Sequence, residues 1–377
     1  MSTLKTNTIT TVDGTGSLTV DRPLAGDGNA LVGISPRSFI IDGDFTIFPE
    51  GNITAIANSA YGAALWENFD VGGELVHDVD QLADAPTVGQ SKHSSTYCMS
   101  IDVTTAESAV AAGDFQVIEY KVTGSDFAQL HQQQVTLSFW HKHTKTGTFC
   151  GYFMNSAENR SYVYEYTQSS ADTWEQHTET LTLDTSGTWL LTEADIGLRV
   201  GFCMYGGSTF QGTADSWEGA KDYCTSNQVA GADSASNFCK FSQVGLYLGG
   251  SAPIFTSPPI STVVDQVGYY VEELLGGDAD QIIGTGLFVS TTLLRVSVPF
   301  KKKRVVPTIT NDGTGSNYAV IWQSSESLAT NTFTLTNIGP TGFDFRTTLS
   351  GATSTAGYAG VARSNNASAY ILIDARH

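Results

Sequence analysis

Val135-Thr-Leu137-Ser-Phe139-Trp140 and Tyr162-Val-Tyr164-Glu-Tyr166 set the fold class, because large apolar side chains recur at every second position. A period of two places alternate side chains on opposite faces of an extended strand. Thr332-Phe-Thr-Leu-Thr336 repeats the pattern near the far end of the chain. Turn signals stand between such runs, among them Asp13-Gly14, Asn311-Asp-Gly313 and Gly339-Pro340. Tyr and Phe total 34 and Gly 38, against four Met. Aromatic and β-branched residues suit a pleated sheet, while Gly serves its turns. Helical candidates are few, and an all-β fold is expected.

The chain has 377 residues with 19 Lys and Arg against 38 Asp and Glu, a net charge of −19. That balance opposes binding to nucleic-acid phosphates, which needs a basic face, and adsorption to anionic lipid. Hydrophobic residues make up 41% and charged ones 15%, enough to bury a core. No run of 18 apolar residues is present, so no membrane insertion is expected. The opening Met1-Ser-Thr-Leu4 lacks the apolar stretch of a secretory signal, which points to a non-secreted protein.

Three regions follow. Residues 1–36 hold few large apolar residues and cannot bury a core of their own, so they should order only against another chain. Residues 37–258 carry all five Cys and every Trp except Trp322, which marks the main globular domain. After a loop-like stretch from Gly249 to Pro259, residues 259–377 form a C-terminal β-domain. Beyond residue 285, eight Lys and Arg face four Asp and Glu, leaving −23 on the preceding part.

Read together, these pieces resemble bacteriophage tail-fibre and receptor-binding proteins with a carbohydrate-binding-module-like jelly roll. Leu4-Lys-Thr-Asn-Thr-Ile-Thr with Asp13-Gly14 and Leu18-Thr-Val20 looks like the opening of such fibres. Phe39-Ile-Ile-Asp-Gly43-Asp44-Phe45 is similar to the first strand of their jelly roll. Val110-Ala-Ala-Gly113-Asp114-Phe115, Asn155-Ser-Ala-Glu-Asn159-Arg160, Asp172-Thr-Trp174-Glu175, Asp184 to Trp189, Gly207 to Phe210, Trp217 and Phe241 to Gly245 follow in family order. Tyr269-Tyr270, Val298-Pro299-Phe300, Val306-Pro307 and Asn366 to Tyr370 resemble the C-terminal domain.

The resemblance implies an extended N-terminal attachment segment, a jelly-roll sandwich and a small C-terminal β-sandwich-like domain. It also implies a virion structural protein of the tail, assembled in the host cytoplasm. Its partners would be two further copies in a homotrimer, a tail or adaptor protein held through residues 1–36, and host-surface polysaccharide or lipopolysaccharide. A virion component that never touches the host, such as a capsid fibre or tail connector, is the alternative.

Sugar binding needs rings to stack on pyranose faces and polar groups to fix hydroxyls. The loop-rich stretch from Gly206 to Asn237 offers Trp217, Phe210, Tyr223 and Asp215, and long loops on a rigid scaffold concentrate such groups. Tyr162, Tyr164 and Tyr166 share one strand face: an exposed platform, or the inner face of the sandwich, where rings are commoner. Phe139 and Trp140 point opposite ways, so one is core and the other at a surface.

Jelly rolls of this type often hold a structural calcium, and Asp42, Asp44 and Glu50 have suitable oxygens. The last strand, Phe241 to Leu248, lacks the closing carboxylate. His141 and His143 share a face and could ligate a transition metal with His177, although solvent-exposed histidines are the expected account. No cofactor is expected. Cys98, Cys150, Cys203, Cys224 and Cys239 are expected as buried thiols, with Cys224 and Cys239 a candidate pair for later oxidation. Lys301-Lys-Lys-Arg304 reads as a solvated strand end. GxSxG, HExxH and phosphate-loop motifs are missing from the sequence, and no enzyme is expected. Distant carboxylates can still pair as in glycosidases, which keeps polysaccharide cleavage as a third reading.

Overall fold

The computed structural model describes residues 37–276, 279–322, 325–349 and 353–377. The attachment segment expected over residues 1–36 lies outside them. Residues 38–377 form one compact unit, and the regular secondary structure of its described part is nearly all β, as the alternation predicts.

The first strands are β1 (Ala60–Ala63), β2 (Trp66–Val71), β3 (Val76–Leu82), β4 (Cys98–Thr105), β5 (Phe115–Thr123) and β6 (Gln134–His143). Next come β7 (Gly147–Met154), β8 (Ser161–Gln168), β9 (Glu175–Thr182), β10 (Ile196–Gly206), β11 (Ser216–Glu218) and β12 (Phe238–Leu248). They build a sandwich of two antiparallel sheets, seven-stranded in the order β1-β2-β5-β10-β7-β8-β11 and five-stranded in the order β3-β4-β12-β6-β9. Facing sheets bury the rings that the period-two pattern sends inward. Phe202 stacks on Phe241 at 4.1 Å across the layers, and Trp66 on Phe202 at 5.6 Å. Phe139 is fully buried in this core, while its neighbour Trp140 lies on the outer face of the five-stranded sheet.

The edges of the sandwich are guarded. Its outermost strands β1 and β11 span four and three residues. Edge strand β3 is covered by a segment whose Ile53 exchanges main-chain hydrogen bonds with Val79. Edge strand β9 turns Glu175, His177 and Glu179 toward the inside, where a further apolar strand would need greasy side chains.

Strand β12 is interrupted between Ser242 and Gly245 by a register shift. There Gln243 takes φ 53°, the left-handed region that few non-glycine residues enter. The Asp42-Gly43-Asp44-Phe45 turn packs against this bulge. Val244 N–H donates to the Gly43 carbonyl at 2.7 Å, and a Cβ on Gly43 would sit 1.8 Å from the Val244 carbonyl oxygen. Glycine is therefore required at position 43 for the turn to come so close.

The C-terminal strands are β13 (Val271–Gly276), β14 (Ile282–Phe288), β15 (Leu293–Pro299), β16 (Thr308–Asn311) and β17 (Tyr318–Trp322), then β18 (Ser325–Gly339), β19 (Gly342–Leu349), β20 (Ala359–Ser364) and β21 (Tyr370–Asp374). Six of them close into a barrel, β14-β15-β19-β18-β17-β20, and β13-β21-β16 form a three-stranded sheet. The small sheet serves both cores. Val271 and Leu372 pack with the sandwich core, as do Val263 and Val267 of the helix Ile260–Val267. Leu275, Ile371 and Ile373 pack into the barrel core.

Candidate ligand-binding groove

The outer face of the five-stranded sheet carries an open groove of about 340 Å³. Ser138 and Trp140 of β6, and Gln243 and Tyr247 of β12, form its floor, with Gln176 and Thr178 of β9 beside them. The turn Gln90-Ser91-Lys92 makes one wall, and the stretch from Ala252 to Phe255 makes the other. Strand parity explains the set, since Ser138, Trp140, Gln176 and Thr178 occupy the alternate positions left outward when Phe139 and His177 turn inward.

The polar groups are mutually ordered. Gln176 Nε2 donates to Ser138 Oγ at 3.1 Å, and Gln243 Nε2 donates to Ser91 Oγ at 3.0 Å. At the bulge Gln243 reaches from the floor to the Ser91 wall and is 2% exposed. Its Oε1 is buried without a hydrogen-bond partner among the described residues, an arrangement that ordinarily calls for an unseen donor. Burial pushes the Tyr247 phenol up to about 12, so it stays a neutral donor at physiological pH. Lys92 is the charged residue of the lining, which includes no Asp or Glu among the described residues. Amides, hydroxyls and aromatic edges of this kind can bind a neutral polyhydroxyl ligand.

The predicted site residues fall elsewhere and in two separate places. Trp217 faces Tyr162 in register on β8. Its indole N–H donates to the Thr182 carbonyl at 2.9 Å, and its ring meets Trp189 edge-on. Trp217 therefore ties the edge of one sheet to the end of the other. Asp215 lies next to it, exposed and at φ 58°, its carboxyl held above the usual range by partial burial and by the charges of Glu179 and Glu165. Tyr164 belongs to the same edge but is fully buried and stacked on His177. A ring without exposed surface cannot stack on a sugar, so the inner-face reading of Tyr162, Tyr164 and Tyr166 is the correct one.

Phe210 and Tyr223 instead pack on Phe115, each at 4.7 Å. They form a small second core on the outer face of the seven-stranded sheet, with Tyr223 buried. Beside it a cleft of about 320 Å³ opens between Val110, Tyr205, Gln211 and Gln228.

The weak metal candidates are also redirected. Asp42 accepts hydrogen bonds from Thr46 N and Oγ1 and from Ile47 N, and burial still raises it to about 7. Asp44 accepts from Ser257 Oγ, and Glu50 pairs with Arg376. The three carboxylates thus have separate partners. His141 and His143 are buried rather than solvent-exposed, because they share the face of Phe139. His141 Nδ1–H donates to Gln168 Oε1 at 3.0 Å, and His143 stacks on Phe149 at 4.0 Å. Among the described residues, no group of three or more His, Cys, Asp or Glu is placed to hold a metal ion.

The basic run is not a solvated strand end throughout. Lys303 is fully buried, bonding the Gly268 carbonyl and Glu272. Arg304 donates to the carbonyls of Ala375, Glu193 and Arg376.

No family model matches this chain, and no curated protein matches it. Among solved structures, it is similar to the enzymatically active domain of tailspike protein 4 of bacteriophage CBA120. There the identity is 11% and the TM-score 0.29, over 52% of this chain and 22% of that one. It is similar to TmCBM61 in complex with β-1,4-galactotriose at 10% identity and TM-score 0.28, over 57% of this chain and 99% of that one. A family 11 carbohydrate-binding module from Clostridium thermocellum, in complex with a mixed-linked tetrasaccharide, shows 14% identity and TM-score 0.28, over 54% and 97% of the two chains. At these scores the functional reading rests on the side chains of the groove.

Proposed function

We propose that this chain is a non-catalytic, glycan-binding component of a bacteriophage tail fibre, and that the groove on the five-stranded sheet receives the sugar. The supporting observation is Gln243: a strained residue on a bulge, with an unpaired buried amide oxygen in an acid-free groove of a chain carrying −19. Such strain is kept where a position has a task, and a sugar hydroxyl is a fitting donor for that oxygen. The virion setting rests on the sequence resemblance, with residues 1–36 as the tail-attachment segment and three copies around one axis.

Gln243→Gly tests the reading, because glycine accepts the left-handed backbone while removing the amide. Binding to neutral polysaccharides, measured by glycan array and calorimetry, is expected to weaken about tenfold or more with folding intact. Equal binding by both proteins, or no binding by the parent, overturns the assignment. For the assembly, light scattering of the full chain should give three times 40.2 kDa; a monomeric mass removes the trimer.

A further inference from the structure

We infer that Cys203 and Cys224 are an oxidisable pair whose disulfide staples the end of the Gly207–Tyr223 segment, which contains β11, back onto β10 of the seven-stranded sheet. All five cysteines are free and buried. Cys224 has its neighbours in the second small core, together with Cys150 and Cys203, whereas Cys239 belongs to the sandwich core. The five are buried thiols as the sequence leads one to expect, and the candidate pair Cys224 and Cys239 is divided between two cores.

The two sulfurs converge on one point. A Cβ on Gly206 would lie 2.6 Å from Cys224 Sγ and 3.6 Å from Cys203 Sγ. Gly206 ends β10, so its lack of a side chain makes the space in which both thiols meet. Cys150 stands opposite Cys203 in register on β7, but its sulfur is engaged by Thr225, whose N–H donates to it at 3.4 Å. Cys224 Sγ makes long contacts of 3.6 and 3.7 Å to the Gly206 and Phe210 carbonyls and a side-chain hydrogen bond with Cys203. The loop between the partners is held by Tyr223 N–H and Cys224 N–H on the Phe210 carbonyl, and Phe210 and Tyr223 pack in the same small core as the thiols.

The chemistry needs a disulfide oxidant such as oxidised glutathione. When the loop lifts, the Cys224 thiolate attacks one glutathione sulfur and releases one reduced glutathione. The Cys203 thiolate then attacks the mixed disulfide and releases the second. Two protein thiols become one S–S bond, and the oxidant takes up both electrons and both protons. Burial and the neighbouring thiols hold the Cys203 thiol far above its ordinary range in the closed state, so reaction waits for opening.

The test is to incubate the full native chain with oxidised glutathione, block remaining thiols and map peptides by mass spectrometry. Free thiols are expected to fall from five to three, with a peptide joining Cys203 to Cys224 and the unfolding midpoint raised by roughly 5 °C or more. Cys239→Ser should leave the link intact, and Cys224→Ser should abolish it. Five remaining thiols, a lasting glutathione adduct, or a bond through Cys150 or Cys239 each overturn the proposal. The wild-type peptide map decides even if a variant fails to fold.

Discussion

Arg376→Ala is expected to destabilise residues 38–377 by about 3 kcal/mol and to split unfolding into two transitions. The side chain is 4% exposed and pairs with Glu50 and Asp374. It also donates to the Ala64 carbonyl at 3.1 Å and lies 3.8 Å from the Tyr61 ring centre. Glu50, Tyr61 and Ala64 belong to the sandwich half, and Asp374 ends β21 of the small shared sheet. One guanidinium thus joins two layers, and truncation strands two partly buried carboxylates and a carbonyl. Arg376→Lys should recover part of the loss, since ammonium keeps the charge but not the planar fork or the ring contact. Urea unfolding followed by tryptophan fluorescence and far-ultraviolet dichroism checks this. Coincident single transitions for Arg376→Ala would refute the latch.

The second large effect concerns acid. Burial holds His77 and His141 at about 4, well below the ordinary imidazole value, and pushes His143 down as well. A depressed histidine gives stability that is fully present above about 6.5 and is lost as pH falls toward 4, because the unfolded chain takes the proton first. Each of His77 and His141 should therefore remove about 2 kcal/mol between pH 7.5 and pH 5. Asp42, raised to about 7, works in the opposite sense over the same window, so the clean observable is a difference. His141→Gln should show an acid loss about 2 kcal/mol smaller than the parent, and His77→Gln/His141→Gln about 4 kcal/mol smaller. Equal acid slopes in parent and variants would show that these imidazoles are not held neutral by the fold.

The strands were the legible part. Alternation in Val135–Phe139 and Tyr162–Tyr166 gives β6 and β8, and rings at every second place give the core. The same parity held an unread signal, since once Phe139 is core, His141 and His143 must be core too. The groove was harder to read because its residues come from five distant stretches brought together by sheet order, which local periodicity does not encode. A local trace existed in Ser242-Gln-Val-Gly245, where a glycine inside a strand marks a bulge. Rings in a long loop have the composition of a sugar site, but Tyr223 and Phe210 close a small core instead. Cys224 and Cys239 are close in the chain but lie in different clusters, because chain proximity says nothing about which side of a sheet each occupies.

The guarded margins of the sandwich bear on how the protein behaves when crowded. Fibrous growth needs a long, flat, unpaired strand to which another copy can add backbone to backbone. The barrel strands have no such margin, since they close on themselves. In the sandwich, β1 and β11 are too short, β3 is covered, and β9 presents Glu175, His177 and Glu179 where a zipper would need dry apolar teeth. Among the described residues, the sandwich and barrel strands thus give neighbouring copies at high local density side chains to touch rather than a long bare strand to extend.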